Sequence, residues 1–233
     1  MTTIIVNENF LIADHRATTL VNRSGDHLTL DVSTGEKPTE VISDTRLKIE
    51  IPPVGRLLGK NGGYVEAYAF TGSATVSDTF KSIYEKTMPE PRLLYDVMMI
   101  LSLAQNSRNC CIVAMMSDGS RERIEITATK YVNRYIHEGP GWTAIGSGHF
   151  AVDTVTKNTG QDSGLTGGDL IAFAAACDTS TSPSYSVYSR EHKVLYACVN
   201  PSYAEHKESY RRCIRAMYEF DQPHYIPIRN CLA

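Results

Sequence analysis

The chain has 233 residues, 42% of them hydrophobic, enough to bury the core of one large domain. Charged residues make up 21% and the formal net charge is −3. That balance excludes a polyanion-binding surface, because no basic block is present to release counterions from phosphates. No stretch approaches the roughly 20 apolar residues of a membrane span. The opening MTTIIVNENFLIAD lacks the basic start and unbroken apolar run of a signal peptide, so the expected location is the cytoplasm. None of the six cysteines sits in a CxxC pair, so no zinc site is expected, and buried thiols in a reducing compartment are.

In chain order, TTIIV and FLIAD read as a β-hairpin turning at Asn7-Glu8-Asn9. A turn centred on Glu8 would set Thr2 opposite Asp14 and give Thr2, Asp14, Arg16 and Thr18 one shared face. Residues 19–47 mix the strand-like HLTLDV and TEVIS with turn residues, and read as an extra hairpin or ordered loop. The Pro/Gly-rich PPVGRLLGKNGG leads into the strand YVEAYAF. Ser77 is placed to cap a helix over SDTFKSIYEKT, with Phe80, Ile83 and Tyr84 on one face. RLLYDVMMILSLAQ is apolar nearly all round, the pattern of a helix buried between layers. CCIVAMM, RERIEITA and KYVNRYIH read as strands, followed by helices from about His149 and over DLIAFAAAC. Strands YSVYS and KVLYACV precede a final helix, YAEHKESYRRCIRAMYEF. Antiparallel strand runs broken by helix pairs predict a layered α+β architecture with helices outside the sheets.

Thr2 follows Met1, and methionine before a small residue is commonly removed. A free α-amine, with a pKa of about 7.7–8.0, can take the proton of its own threonine hydroxyl. A nearby lysine ammonium, itself held by a carboxylate, would favour the neutral, basic form of that amine.

With these residues on the page, TTIIVNENFLIADHRATT resembles the opening of proteasome β subunits and the related bacterial peptidase rings. Members of that N-terminal-nucleophile (Ntn) hydrolase family begin Thr-Thr and end the second strand Ala-Asp-Ser-Arg-Ala-Thr; here that piece is Ala13-Asp14-His15-Arg16-Ala17-Thr18. The resemblance implies a four-layer αββα sandwich of two antiparallel sheets flanked by helices, with Thr2 as nucleophile and Asp14 beside it. Ser43-Asp44-Thr45-Arg46-Leu47-Lys48-Ile49 is similar to the strand carrying the family's lysine, which implies Lys48 between Asp14 and Thr2. Ala69-Phe70-Thr71-Gly72-Ser73 is similar to the strand whose glycine N–H serves as oxyanion donor, with Phe70 at the specificity-pocket position. Gly146-Ser147-Gly148 implies Ser147 near the Thr2 amine, and Asp178 with Thr181 implies the family's Asp–Ser pair with threonine replacing serine. Arg16 and Thr18 complete the expected substrate side of the hairpin.

The resemblance implies one domain over 1–233, with insertions at about 19–47 and 52–63 and a helical extension from about 201. It implies a threonine-type peptidase acting on polypeptides, needing no metal or organic cofactor. Its partners would be its own copies in a homo-oligomeric ring and a separate ATPase unfoldase, since no GxxxxGK[ST] motif occurs here. Two rivals stand beside it: a small-amide amidase or acylase using the same nucleophile, and a catalytically inactive structural or interaction protein that kept the fold.

Overall fold

The computed structural model describes residues 2–21, 39–44, 46–72, 74–87, 90–104, 109–159, 163–199 and 201–219. The opening hairpin forms from β1 (Thr3–Val6) and β2 (Phe10–Asp14). Its register differs from the expected one by a single residue: Ile4 pairs with Ala13, Ile5 with Ile12 and Val6 with Leu11. The reason is local. Asn7 Oδ1 accepts the N–H groups of Asn9 at 2.9 Å and Phe10 at 2.7 Å, while Asn7 N–H donates to Phe10 O. Asparagine closing its own turn in this way leaves Glu8 and Asn9 as the loop and moves the turn centre past Glu8. The position across from Asp14 therefore falls to Thr3 instead of Thr2.

Next come β3 (Ala17–Val21) and β4 (Thr39–Ser43), paired with each other. The predicted strand HLTLDV between them lies outside the described residues. Short strands β5 (Ile49–Glu50) and β6 (Leu57–Leu58) precede β7 (Val65–Thr71). Helix α1 (Ala74–Ser82) begins before the expected cap, so Ser77 is inside it, and the chain continues through a π turn at Ile83–Thr87. After β8 (Arg92–Leu93), α2 (Leu94–Ala104) buries Leu94, Val97, Met98 and Leu101. It is not covered all round: Leu103 is 77% exposed, with Met99 and Ile100 also facing out. Then follow β9 (Cys110–Met116), β10 (Arg121–Ile126), β11 (Val132–His137) and β12 (Thr143–Gly146). The remainder is α3 (His149–Thr159), α4 (Gly167–Cys177), β13 (Tyr185–Ser189), β14 (Val194–Cys198) and α5 (Tyr203–Glu219).

The fold is mixed α+β, with two five-stranded sheets in the orders β12-β1-β2-β13-β14 and β11-β10-β9-β7-β5. All pairings within them are antiparallel. Strand alternation sends neighbouring side chains to opposite faces, which splits the core into three clusters. In one, Ile4, Val6, Leu11 and Ala13 meet Ile49, Ala67, Ala69, Val113 and Met115 of the other sheet. In the second, Ile5 and Ile12 meet Val152, Val155, Leu170, Ile171 and Phe173 of α3 and α4. In the third, Tyr68, Phe70, Ile112 and Ile124 meet Phe80, Val97, Met98 and Leu101 of α1 and α2. Each fully buried side chain of this size contributes about 1.5–3 kcal/mol against exposure. Cys110, Cys111 and Cys213 are buried free thiols, Cys177 is exposed, and Cys231 lies outside the described residues. No helix among the described residues is long and apolar enough to cross a membrane.

Helix α5 packs on α4 instead of standing apart. Tyr210 stacks on Phe173 with ring centroids 5.3 Å apart. Asp169, 1% exposed, closes a capping box with Thr166 through one oxygen and receives Arg212 Nε at 2.9 Å through the other. Burial works to raise the Asp169 pKa, but the hydrogen bonds from Arg212 and Thr166 hold it below the ordinary 3.8. A depressed carboxylate contributes stability above its unfolded value and loses it as pH falls through the folded one. Arg212→Ala should therefore cost about 1–3 kcal/mol at neutral pH. It should also raise the midpoint of acid unfolding. Thermal melts collected from pH 2 to 7 check both.

Candidate active site

The site lies where the start of β1 is flanked by β12 and the end of β2. Thr2, Thr3, Asp14 and His15 are all buried here. Asp14, with no exposure to solvent, is surrounded by donors. Its Oδ1 accepts Thr3 N–H at 2.9 Å and Lys48 Nζ at 3.0 Å; its Oδ2 accepts Ser182 N–H at 3.0 Å and Arg16 N–H at 3.1 Å. Lys48, just ahead of β5, also donates to Arg16 O, and its side chain is 6% exposed. Burial pushes the Lys48 ammonium below its usual 10.5, with Asp14 opposing that shift. A lysine so placed gives up or accepts a proton nearer neutrality than a solvated one. Next to this pair, His15 Nε2 lies 2.6 Å from Ser186 Oγ, and burial lowers the pKa of its ring.

The residues after β12 lean directly on β1. Gly146 has φ +96°, and a Cβ there would sit 1.6 Å from the Thr2 carbonyl oxygen. A Cβ on Gly148 would lie 2.7 Å from Thr3 Oγ1 and 2.9 Å from Thr181 Oγ1. The Gly-Ser-Gly segment is thus shaped by close backbone approach to β1. Between the glycines, Ser147 Oγ is buried with no hydrogen-bond partner among the described residues. Asp178, the C-cap of α4, accepts Ser180 N–H at 2.9 Å and Thr181 Oγ1 at 2.7 Å. Burial acts to raise its pKa, but the hydrogen bonds from Ser180 and Thr181 hold it below the ordinary carboxylate value. Thr181 Oγ1 lies 2.6 Å from Thr3 Oγ1.

Beside this cluster a cleft of about 830 Å³ opens, walled by Thr2, Thr71, Gly72, Cys110, Glu125, Thr127, Ile145 and Ser147. Gly72 follows β7 at φ +128°, with Cys110 Cβ 3.0 Å from the place of a missing side chain. Phe70 is a correction: it does not line the cleft. Strand alternation turns it to the α1 side, where its ring lies 5.6 Å from that of Phe80. Arg16 is not among the residues lining the cleft. Its guanidinium clamps both Asp44 oxygens at 2.8 Å and also reaches Thr179 O, bracing the exit of β2. Thr18 is paired opposite Ile42 in β3, on the hairpin beyond the cleft-lining residues. Among the described residues no group of three His, Cys, Asp or Glu could hold a metal ion.

Sequence reasoning missed Thr3, Gly146 and Gly148 as parts of the site. Only the doubled Thr2-Thr3 and the Gly-x-Gly spacing hinted at them, and neither says which strands meet.

No family model and no curated protein matches the chain. Solved structures do match along its whole length. An Anbu (Gly-1) mutant from Hyphomicrobium sp. strain MC1 has TM-score 0.56 and 11% identity, covering 97% of this chain and 99% of that one. Anbu from Yersinia bercovieri, described as an ancestral beta-subunit, gives TM-score 0.55 at 11% identity and the same coverage. The Anbu complex from Pseudomonas aeruginosa, a helical assembly, gives 0.52 at 11% identity, covering 99% and 100%.

The chain shares the Anbu fold.

These neighbours correct the family named from the motifs. The likeness shown is to Anbu proteins, and at 11% identity it is a likeness of fold.

Gly146→Ala should separate β12 from β1, because the new Cβ meets main chain that cannot swing aside. Gly55→Ala is the matched control: its φ is also positive, +74°, but nothing lies within 4 Å. Strain alone should cost the control about 1–3 kcal/mol. Denaturant unfolding should show the Gly146 variant losing clearly more.

Proposed function

We propose that this chain is a threonine-type hydrolase of peptide bonds whose nucleophile, Thr2, is exposed by removal of Met1. One observation carries the reading: Asp14 Oδ1 accepts both the Thr3 N–H and the Lys48 ammonium, directly beside a cleft that Thr2 lines. We read the three core clusters as the seams of a four-layer αββα sandwich, with the cleft at one end of the central seam. Residues 19–47 and 52–63 are then additions to a single domain.

In this scheme the Thr2 α-amine takes the proton of the Thr2 hydroxyl as Oγ1 attacks the substrate carbonyl carbon. The Gly72 N–H stabilises the oxygen that becomes negative. The protonated amine passes its proton to the leaving nitrogen, the C–N bond breaks, and an ester on Thr2 remains. Water, deprotonated by the same amine, then releases the acid and restores the hydroxyl. Lys48 keeps positive charge close to the amine, favouring its neutral form, and Asp14 holds Lys48 in place. Ser147, Asp178 and Thr181 orient the start of the chain. Self-association is the arrangement we propose for the intact protein, given that the Pseudomonas aeruginosa Anbu complex is a helical assembly.

Intact-mass measurement should find Met1 absent and Thr2 first in active protein. Thr2→Ala should lose about 10³-fold or more in peptide turnover while keeping its melting temperature, and Thr2→Ser should keep part of the rate. Full turnover by Thr2→Ala, or an active enzyme retaining Met1, overturns the reading. Asp14→Asn should be worse than a simple loss of rate. It leaves the buried Lys48 ammonium without its counter-charge, so unfolding free energy should drop by about 3–5 kcal/mol in a denaturant titration.

A further inference from the structure

Thr3 has no exposure to solvent and is held at two separate atoms. Its N–H donates to Asp14 Oδ1 at 2.9 Å. Its hydroxyl oxygen accepts the Gly148 N–H at 2.9 Å and lies 2.6 Å from Thr181 Oγ1, which donates to Asp178 Oδ2 at 2.7 Å. Counting protons fixes the direction of the row. A backbone amide only donates and an ionised carboxylate only accepts. Thr181 gives its one proton to Asp178, so the Thr3 proton points to Thr181. The row runs one way, from Gly148 through Thr3 and Thr181 to Asp178. It joins the β12–α3 junction, β1 and the segment after α4. It is packed as well as bonded, since Gly148 has no room for a Cβ against either hydroxyl.

We propose that Thr3 is the positioning residue for the Thr2 nucleophile, and that Thr181 and Asp178 act on Thr2 through it. This deepens the reading of Thr2 above and rests on it. Thr2 and Thr3 share one planar peptide, so pinning the Thr3 nitrogen and hydroxyl fixes where the Thr2 Cα sits. Thr2 is thereby held at the wall of the cleft, while Gly146 closes on the Thr2 carbonyl from the β12 side. Valine has nearly the shape of threonine without the hydroxyl, so it removes the row and little else.

The test compares Thr3→Val, Thr3→Ser, Thr181→Val and the Thr3→Val/Thr181→Val double variant, in peptide hydrolysis and in thermal unfolding. Thr3→Val should lower kcat by about 10-fold to 100-fold with KM changed by no more than about twofold, the mark of misplacement and not of lost binding. Thr3→Ser, with its hydroxyl back, should recover most of that rate. The double variant should be hardly slower than Thr3→Val alone, because both changes break one row. Losses that multiply, or a Thr3→Val kcat within about twofold of the parent, overturn the proposal. Should the parent chain hydrolyse no peptide, the Thr2 reading fails on its own. The row is then judged by the melts alone: coupled shifts at Thr3 and Thr181 support it, and additive ones remove it.

Discussion

A carboxylate taken wholly out of water costs several kcal/mol unless an opposite charge and hydrogen-bond donors surround it. Asp14 is in that position, and its four donors come from four places in the chain: the start of β1, Lys48, the residue two beyond itself, and Ser182. None of these segments can leave without stranding the charge. The arrangement at the end of the first sheet therefore depends on one buried ion pair, and the ordering of the Thr2-Thr3 peptide follows from it. The same pair explains why Lys48 can hold a charge at 6% exposure while its pKa is pulled down by burial.

Two further constraints work on the same few residues. From β12, Gly146 and Gly148 approach the β1 main chain so closely that no side chain fits between them. Beyond the end of α4, Asp178 holds Thr181, whose hydroxyl reaches Thr3 Oγ1. The start of β1 is thus held by charge on one side, by backbone contact on another and by hydroxyls on a third. Arg16 adds a brace of its own, tying the exit of β2 to Asp44 and to Thr179. Rigidity of this kind would serve the nucleophile proposed for Thr2, because small misplacements of a reacting atom are expensive in rate. Helix α5, stacked on α4 through Tyr210 and Phe173, stiffens the helix from whose end Asp178 projects.

The likeness to Anbu structures at 11% identity fits this picture of where the constraints sit. Most of the chain needs only apolar residues where strands and helix faces are buried and polar ones where they are not to build two sheets and their helices. Residues that must be particular ones are few, and they gather at one end of the sheets.

Those particular residues were legible one by one. Apolar, β-branched runs marked β1, β2, β7 and β9; glycine and proline marked the breaks; and Asp14, Lys48, Gly72, Ser147, Asp178 and Thr181 were picked out by motifs, in order, that resemble those of proteasome β subunits. Their meeting was not legible. The hairpin register turned on Asn7 capturing two N–H groups, a choice between neighbouring turn geometries that shifted every cross-strand pair by one. Phe70 went to the helix side because of the pleat at β7, and among the described residues α2 keeps an open face at Leu103, 77% exposed. Chain order thus determined the elements, the thiol and charge balance, and the candidates for chemistry. Only tertiary structure decided that Thr3 faces Asp14 and Thr181, since side chains 178 residues apart in sequence meet only when two sheets and a helix close around the same point.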